Sequence, residues 1–206
     1  MKKIKSLKGE KLLLTNFDHL PKELGILQCF EKNGQYISNE DELFYSLRDT
    51  LNDEVLKYDR SIKSQYFDLD NELEFNGIIY ELMKNTFEWA KDDENGNLLN
   101  PNVRGVLIKS IRKTRKKILE EYNDSEAVIK YFSNDKLKEN DRGEIQFIEL
   151  SVFDSGSGFI KKYKKTNQVS FLNDIDIIKR CLTKHCTSAT GLNMKDKGKG
   201  LDRILN

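Results

Sequence analysis

Residues 144–158 read EIQFIELSVFDSGSG, and the fold turns on them. Ile145, Phe147, Ile148, Leu150 and Val152 form a β-rich apolar run that alternates only in part. That pattern predicts a central strand over 144–153, covered on both faces. The run ends at Asp154-Ser155-Gly156-Ser157-Gly158. An acid at a strand end can accept a hydrogen bond from an exocyclic amine such as that of adenine, and glycines let the backbone approach a flat base closely. An ordinary strand-to-helix turn uses the same residue types for its own geometry.

Upstream, residues 81–90 read ELMKNTFEWA. Ile78, Ile79, Leu82, Met83, Thr86, Trp89 and Ala90 make an apolar stripe that predicts a helix over about 70–91. Residues four apart share a helix face, so Glu81, Asn85 and Glu88 form a polar stripe beside it. An amide oxygen is a good hard ligand for magnesium held by phosphates, and a carboxylate one turn away can orient or deprotonate a water. The solvated side of an amphipathic helix reads the same way.

Downstream, Thr187-Ser188-Ala189-Thr190-Gly191 precedes Lys197-Gly198-Lys199-Gly200-Leu201. A glycine-rich loop running into a helix presents backbone N–H groups and the positive helix end, which suits a phosphate. Lys195, Lys197 and Lys199 add charge, and the G-x-x-x-x-G-K-[ST] pattern is absent. A flexible basic loop has the same composition.

In order and spacing these three stretches resemble the boxes of the GHKL ATPases, the group that holds histidine kinases, heat-shock chaperone ATPases, DNA gyrases and mismatch-repair ATPases. ELMKNTFEWA looks like the asparagine box, FDSGSG like the first glycine box and GKGL like the second, over residues 70–206. The resemblance implies a two-layer α/β sandwich of the GHKL (Bergerat) type, with helices on one face of a mixed sheet. It implies that Asn85 holds Mg²⁺ across the phosphates of ATP and that Glu81 is the general base. Asp154 then reads the adenine amine, with Gly156 and Gly158 by the base. Thr187, Ser188, Gly198, Lys199, Gly200 and Leu201 meet the phosphates, and residues 183–197 are the lid. The implied function is Mg-ATP binding with slow hydrolysis and lid closure coupled to a protein partner or a second copy. The alternatives are a histidine-kinase-type phosphotransferase acting on a separate protein, and a nucleotide-binding or degenerate interaction scaffold without turnover.

Three features depart from the family. The chain stops at Asn206, soon after the lid helix begins, where the family's sheet continues, so the sandwich looks truncated. His19, in Phe-Asp-His-Leu-Pro, is the upstream candidate for a phosphoacceptor but has no long helical pattern around it. Residues 113–143 read as an insert.

The rest of the chain divides into an extension, 1–60, and the ATP-binding unit, 61–206. Within the extension, Ser38 caps a predicted helix along which Leu43, Leu47, Leu51 and Val55 recur every four residues. A strand is expected near 25–30 and a turn at Asn33-Gly34. Asn100-Pro101 reads as a helix-start signal, yet the β-rich run after it favours a strand over 103–110. A helix over 113–132, a charged turn over 133–143 and a helix over about 170–184 follow.

Charged residues make up 33% of the 206 and hydrophobic ones 37%, which excludes a disordered composition. With 35 basic and 34 acidic side chains, the net charge of +1 demands neither nucleic acid nor a membrane surface. Lys161–Lys165 and Arg112–Lys117 read as solvated faces. No apolar run approaches the roughly 18 residues of a membrane span, and Leu12–Leu14 is too short for a signal peptide. Cys29, Cys181 and Cys186 lack zinc spacing and fit a reducing cytoplasm. The Lys, Asn and Ile usage suggests a bacterial source.

Overall fold

Strand β4 (Arg104–Thr114) organises the sheet, with β1 (Lys11–Asn16) on one side and β5 (Glu144–Asp154) on the other, both antiparallel to it. The computed structural model describes residues 11–17, 30–32, 35–37, 39–54, 69–168 and 171–181. A short hairpin pairs β2 (Glu31–Lys32) with β3 (Gln35–Tyr36), on either side of the expected turn at 33–34, which itself lies outside the described residues. Helices α1 (Glu40–Glu54) and α2 (Leu69–Trp89) follow. Between β4 and β5 lie α3 (Arg115–Glu121) and α4 (Glu126–Phe132); beyond β5 come α5 (Phe159–Asn167) and α6 (Asp174–Cys181).

The register explains which face is buried. Leu14, Val106 and Val152 stand opposite one another across the three strands, and so do Leu12, Ile108 and Leu150. Alternation along each strand puts both rows on one side of the sheet. Leu43 and Leu47 of α1 and Ile79, Tyr80 and Met83 of α2 pack onto those rows, with Phe30 completing the core. Each fully buried aliphatic chain of this kind contributes about 1.5–3 kcal/mol. The intervening positions hold Lys109 paired with Glu149, a half-buried ion pair on the opposite face. The fold is thus a mixed α/β arrangement built on a small antiparallel sheet. Leu12, Leu14, Phe30, Leu43 and Leu47, from the expected extension, share this core with α2 and β4.

Several sequence expectations change. Strand β5 was expected at the sheet's centre, but among the described residues it pairs with β4 alone and most of it is only half-buried. The central place belongs to β4, which pairs with β5 along all of its length, so the expected strand at 103–110 runs on to Thr114. The single helix expected over 113–132 is two. The Thr114 hydroxyl accepts from Lys117 N at 3.4 Å and starts α3, and residues 122–125 break the run before α4. Ile118, Phe132 and Ile145 close a small second core there. Asn100-Pro101 starts no helix; its peptide bond is cis and the chain enters β4. The expected helix at 170–184 is α6 over Asp174–Cys181, and α5 was not foreseen as a separate helix. Among the described residues no helix is long and apolar enough to cross a membrane.

One buried charge ties the layers together. Arg104, wholly buried, donates from Nη2 to Glu31 Oε1 at 2.5 Å. The same Glu31 oxygen accepts from Asn16 Nδ2 at 2.7 Å, and Lys91 Nζ lies 3.8 Å from Oε2. One carboxylate thereby joins the hairpin to β1, to β4 and to the chain just beyond α2. Such a pair gains little over apolar packing, but removing one partner strands the other charge. Glu31→Ala should therefore cost about 3 kcal/mol or more in urea unfolding, and the double change Glu31→Leu with Arg104→Met should cost less than that single substitution.

Candidate functional site

The end of α2 and the turn after β5 are built against each other. Helix α2 forms because its apolar stripe meets the sheet: Ile79, Met83, Thr86 and Ala90 are buried, and the Thr86 hydroxyl satisfies itself on Met83 O at 2.8 Å. Ile78, Leu82 and Trp89 of the expected stripe are only half-buried. Past Trp89, the wholly buried Asn102 donates from Nδ2 to Ala90 O at 2.7 Å and to Lys91 O at 3.3 Å, taking up carbonyls at the helix end.

The turn 154–158 docks onto this end. Asp154 Oδ1 accepts from Gly156 N at 2.9 Å, a side-chain-closed turn. Ser155 continues the ladder by one residue: its N donates to Val103 O at 2.9 Å and its Oγ accepts from Val103 N at 2.8 Å. A Cβ on Gly156 would sit 2.8 Å from Ala90 Cα and 2.9 Å from Ala90 Cβ, so the contact needs glycine on one side and a small residue on the other. Gly158 takes φ +80 in front of α5, a conformation that favours glycine, and nothing lies within 4 Å of where its Cβ would be.

The structure thus brings Asp154, Gly156 and Gly158 to the C-terminal end of the helix that carries Glu81 and Asn85. Asn85 lies five residues before Ala90, about 7.5 Å along the axis and about 140° round it. Glu81, Asn85 and Glu88 share one face, each half-buried, roughly opposite the stripe that meets the sheet. The Asn85 side chain makes no hydrogen bond among the described residues, and neither does Asp154 Oδ2. Asp154 is exposed. Thr187, Ser188, Gly198, Lys199, Gly200 and Leu201, the expected lid over 183–197, and the histidines His19 and His185 lie outside the described residues.

Among the described residues no group of three or more His, Cys, Asp or Glu side chains is placed to hold a metal ion. A magnesium ion keeps several waters and usually takes one or two protein ligands beside substrate phosphates, and a single amide oxygen such as that of Asn85 is one ligand of the kind it takes.

Four neighbours escaped the sequence reading. Asn102 and Arg104 look like members of a plain β-rich run, and only their burial reveals them. Lys162, read as part of a solvated basic face, is partly buried on α5. Burial pulls its pKa below the usual lysine value, against the opposing charges of Asp92, Asp93, Asp154 and Glu94. Tyr36 of β3 donates its hydroxyl to Tyr80 O at 2.8 Å, and its ring meets those of Tyr80 and Phe87 at 5.4 and 5.5 Å. Burial, then the neighbouring Tyr80, Glu81 and Glu31, push that phenol far above its ordinary pKa, against the pull of Arg104. No spacing rule links residue 36 to residue 80.

The expected polar loop at 92–100 is a small closed turn. Asp92 bridges Leu98, and Asp93 accepts from Asn97 N at 2.9 Å, Asn97 Nδ2 at 3.0 Å and Asn95 N at 2.8 Å.

Two outcomes follow from these contacts. Gly156→Val should pry the turn from Ala90 and cost about 1–3 kcal/mol in denaturant unfolding. The Asn97 side chain, foremost among its partners, holds the Asp93 carboxyl below its ordinary 3.8. A carboxyl lowered in the folded state adds stability above its unfolded pKa, and that is lost as pH falls through the folded value. An NMR titration should place Asp93 below 3.8, and Asn97→Ala should move it upward. No protein-family profile matches the chain, and no curated protein and no solved structure is significantly similar to it.

Proposed function

We propose that this chain binds Mg-ATP and hydrolyses it slowly, in a GHKL-type (Bergerat) two-layer domain whose glycine-rich lid reports the nucleotide state to a partner protein or a second copy. The observation that carries this reading is the contact of Gly156 with Ala90. It sets an acid-bearing turn against the end of a helix whose other face presents Glu81 and Asn85, in the order that the three sequence boxes keep.

The chemistry assigns each group a task. Asp154 has one carboxylate oxygen turned to Gly156 N and the other without a hydrogen bond among the described residues, which suits an exocyclic amine. Guanine would set a carbonyl against that carboxylate, a mismatch worth about 1–3 kcal/mol or more, so adenine is preferred. Asn85 offers its amide oxygen to a magnesium ion, which would screen the charge of the phosphates. Glu81 orients a water and takes its proton as the water attacks the terminal phosphorus and the bond to the ADP oxygen breaks. Gly198 and Gly200 would donate backbone N–H to the phosphates. Such a role places the protein in the cytoplasm, where ATP is supplied.

The test is titration calorimetry with ATP, with and without magnesium, alongside phosphate release. Asp154→Ala should weaken ATP binding about tenfold or more. Asn85→Ala should weaken Mg-ATP far more than metal-free ATP, and Glu81→Ala should remove turnover while binding survives. A chain that binds no ATP, or an Asn85→Ala variant with equal losses in both titrations, overturns the reading. Acid-labile phosphate on the protein would instead favour phosphotransfer, and ATP binding without turnover would favour a scaffold.

A further inference from the structure

The motif-bearing part of the chain begins near residue 70, yet the contacts around Glu81 reach back to residues 31–36. Tyr36 Oη donates to the carbonyl of Tyr80, the residue next to Glu81, at 2.8 Å. Its ring lies edge-on to Tyr80, with centroids 5.4 Å apart, and tilted against Phe87 at 5.5 Å. These contacts span the two turns of α2 that hold both Glu81 and Asn85. The hairpin that carries Tyr36 is itself fixed, because Glu31 is paired with the buried Arg104 and hydrogen-bonded by Asn16. Lys91, whose ammonium sits 3.3 Å from the Phe87 ring centroid, closes the same ring of contacts at 3.8 Å from Glu31.

We infer that Tyr36 is a positioning residue for Glu81: its hydrogen bond to Tyr80 O holds the helix turn that aims the carboxylate, so the β2–β3 hairpin belongs to the catalytic apparatus. The inference rests on the Mg-ATP reading above. The buried phenol keeps its proton across the working pH range, so the donor is present wherever the protein is folded. A side chain held by packing and a fixed partner keeps a catalytic group within the small tolerance that chemistry requires.

Tyr36→Phe deletes the hydroxyl and keeps both ring contacts. At saturating Mg-ATP and well below the melting temperature, kcat should fall about fivefold, the effect of losing one ordinary hydrogen bond that positions Glu81. The Kd for ATP should stay within twofold, roughly the scatter of near-neutral changes. An unchanged kcat in Tyr36→Phe beside an active wild type overturns this inference and leaves the ATPase reading standing. A fall in ATP affinity and melting temperature with kcat intact makes Tyr36 merely structural and overturns it too. A wild type with no turnover sinks both.

Discussion

A guanidinium with no exposure to water must be met by a counter-charge, and in this protein that demand joins three elements at once. Arg104 opens the central strand and is wholly buried. Its partner, Glu31, comes from a hairpin far away in sequence and also takes a hydrogen bond from Asn16 at the end of β1. Because a buried charge without its partner is so costly, the hairpin cannot leave the end of the sheet without strongly destabilising the fold. That end is also where β5 delivers Asp154, directly opposite Arg104 in the register.

The position of the candidate site follows from this. Helix α2 serves two purposes with two faces: Ile79, Met83 and Ala90 bury against the sheet, and Glu81, Asn85 and Glu88 lie on the other side. The helix end is closed by Asn102, and the turn 154–158 packs so tightly on Ala90 that no side chain fits at Gly156. A site whose polar groups sit on regular elements, fixed by neighbours of this kind, is held more precisely than one carried on loops. The distant α3–α4 pair, with its own small core around Ile118 and Phe132, stands at the opposite end of β4 and β5.

Much of this architecture was legible in the residues. The four-residue recurrence of Leu43 and Leu47 marked α1, the stripe through Ile79 and Met83 marked α2, and the run ending at Asp154 marked β5, because periodicity records which face each element buries. The turn chemistry of Asp154, Gly156 and Gly158 was visible for the same local reason. The length of β4 and the split between α3 and α4 were not. Residues 111–114 become strand because β5 supplies partners for them, and that pairing is a long-range contact no local pattern encodes.

By itself, the sequence determined α1 and α2, the strand leading to Asp154 and the residue types available for chemistry, since those depend on neighbours a few positions away. Tertiary structure alone decided that Glu31 meets Arg104, that Gly156 rests on Ala90, that Lys162 stands near Asp154 and that Tyr36 holds the turn before Glu81. Those pairings span from eight residues to more than seventy along the chain. They exist because buried charges, buried hydroxyls and close-packed backbones must find partners in space, and the identity of those partners is settled only when the layers close.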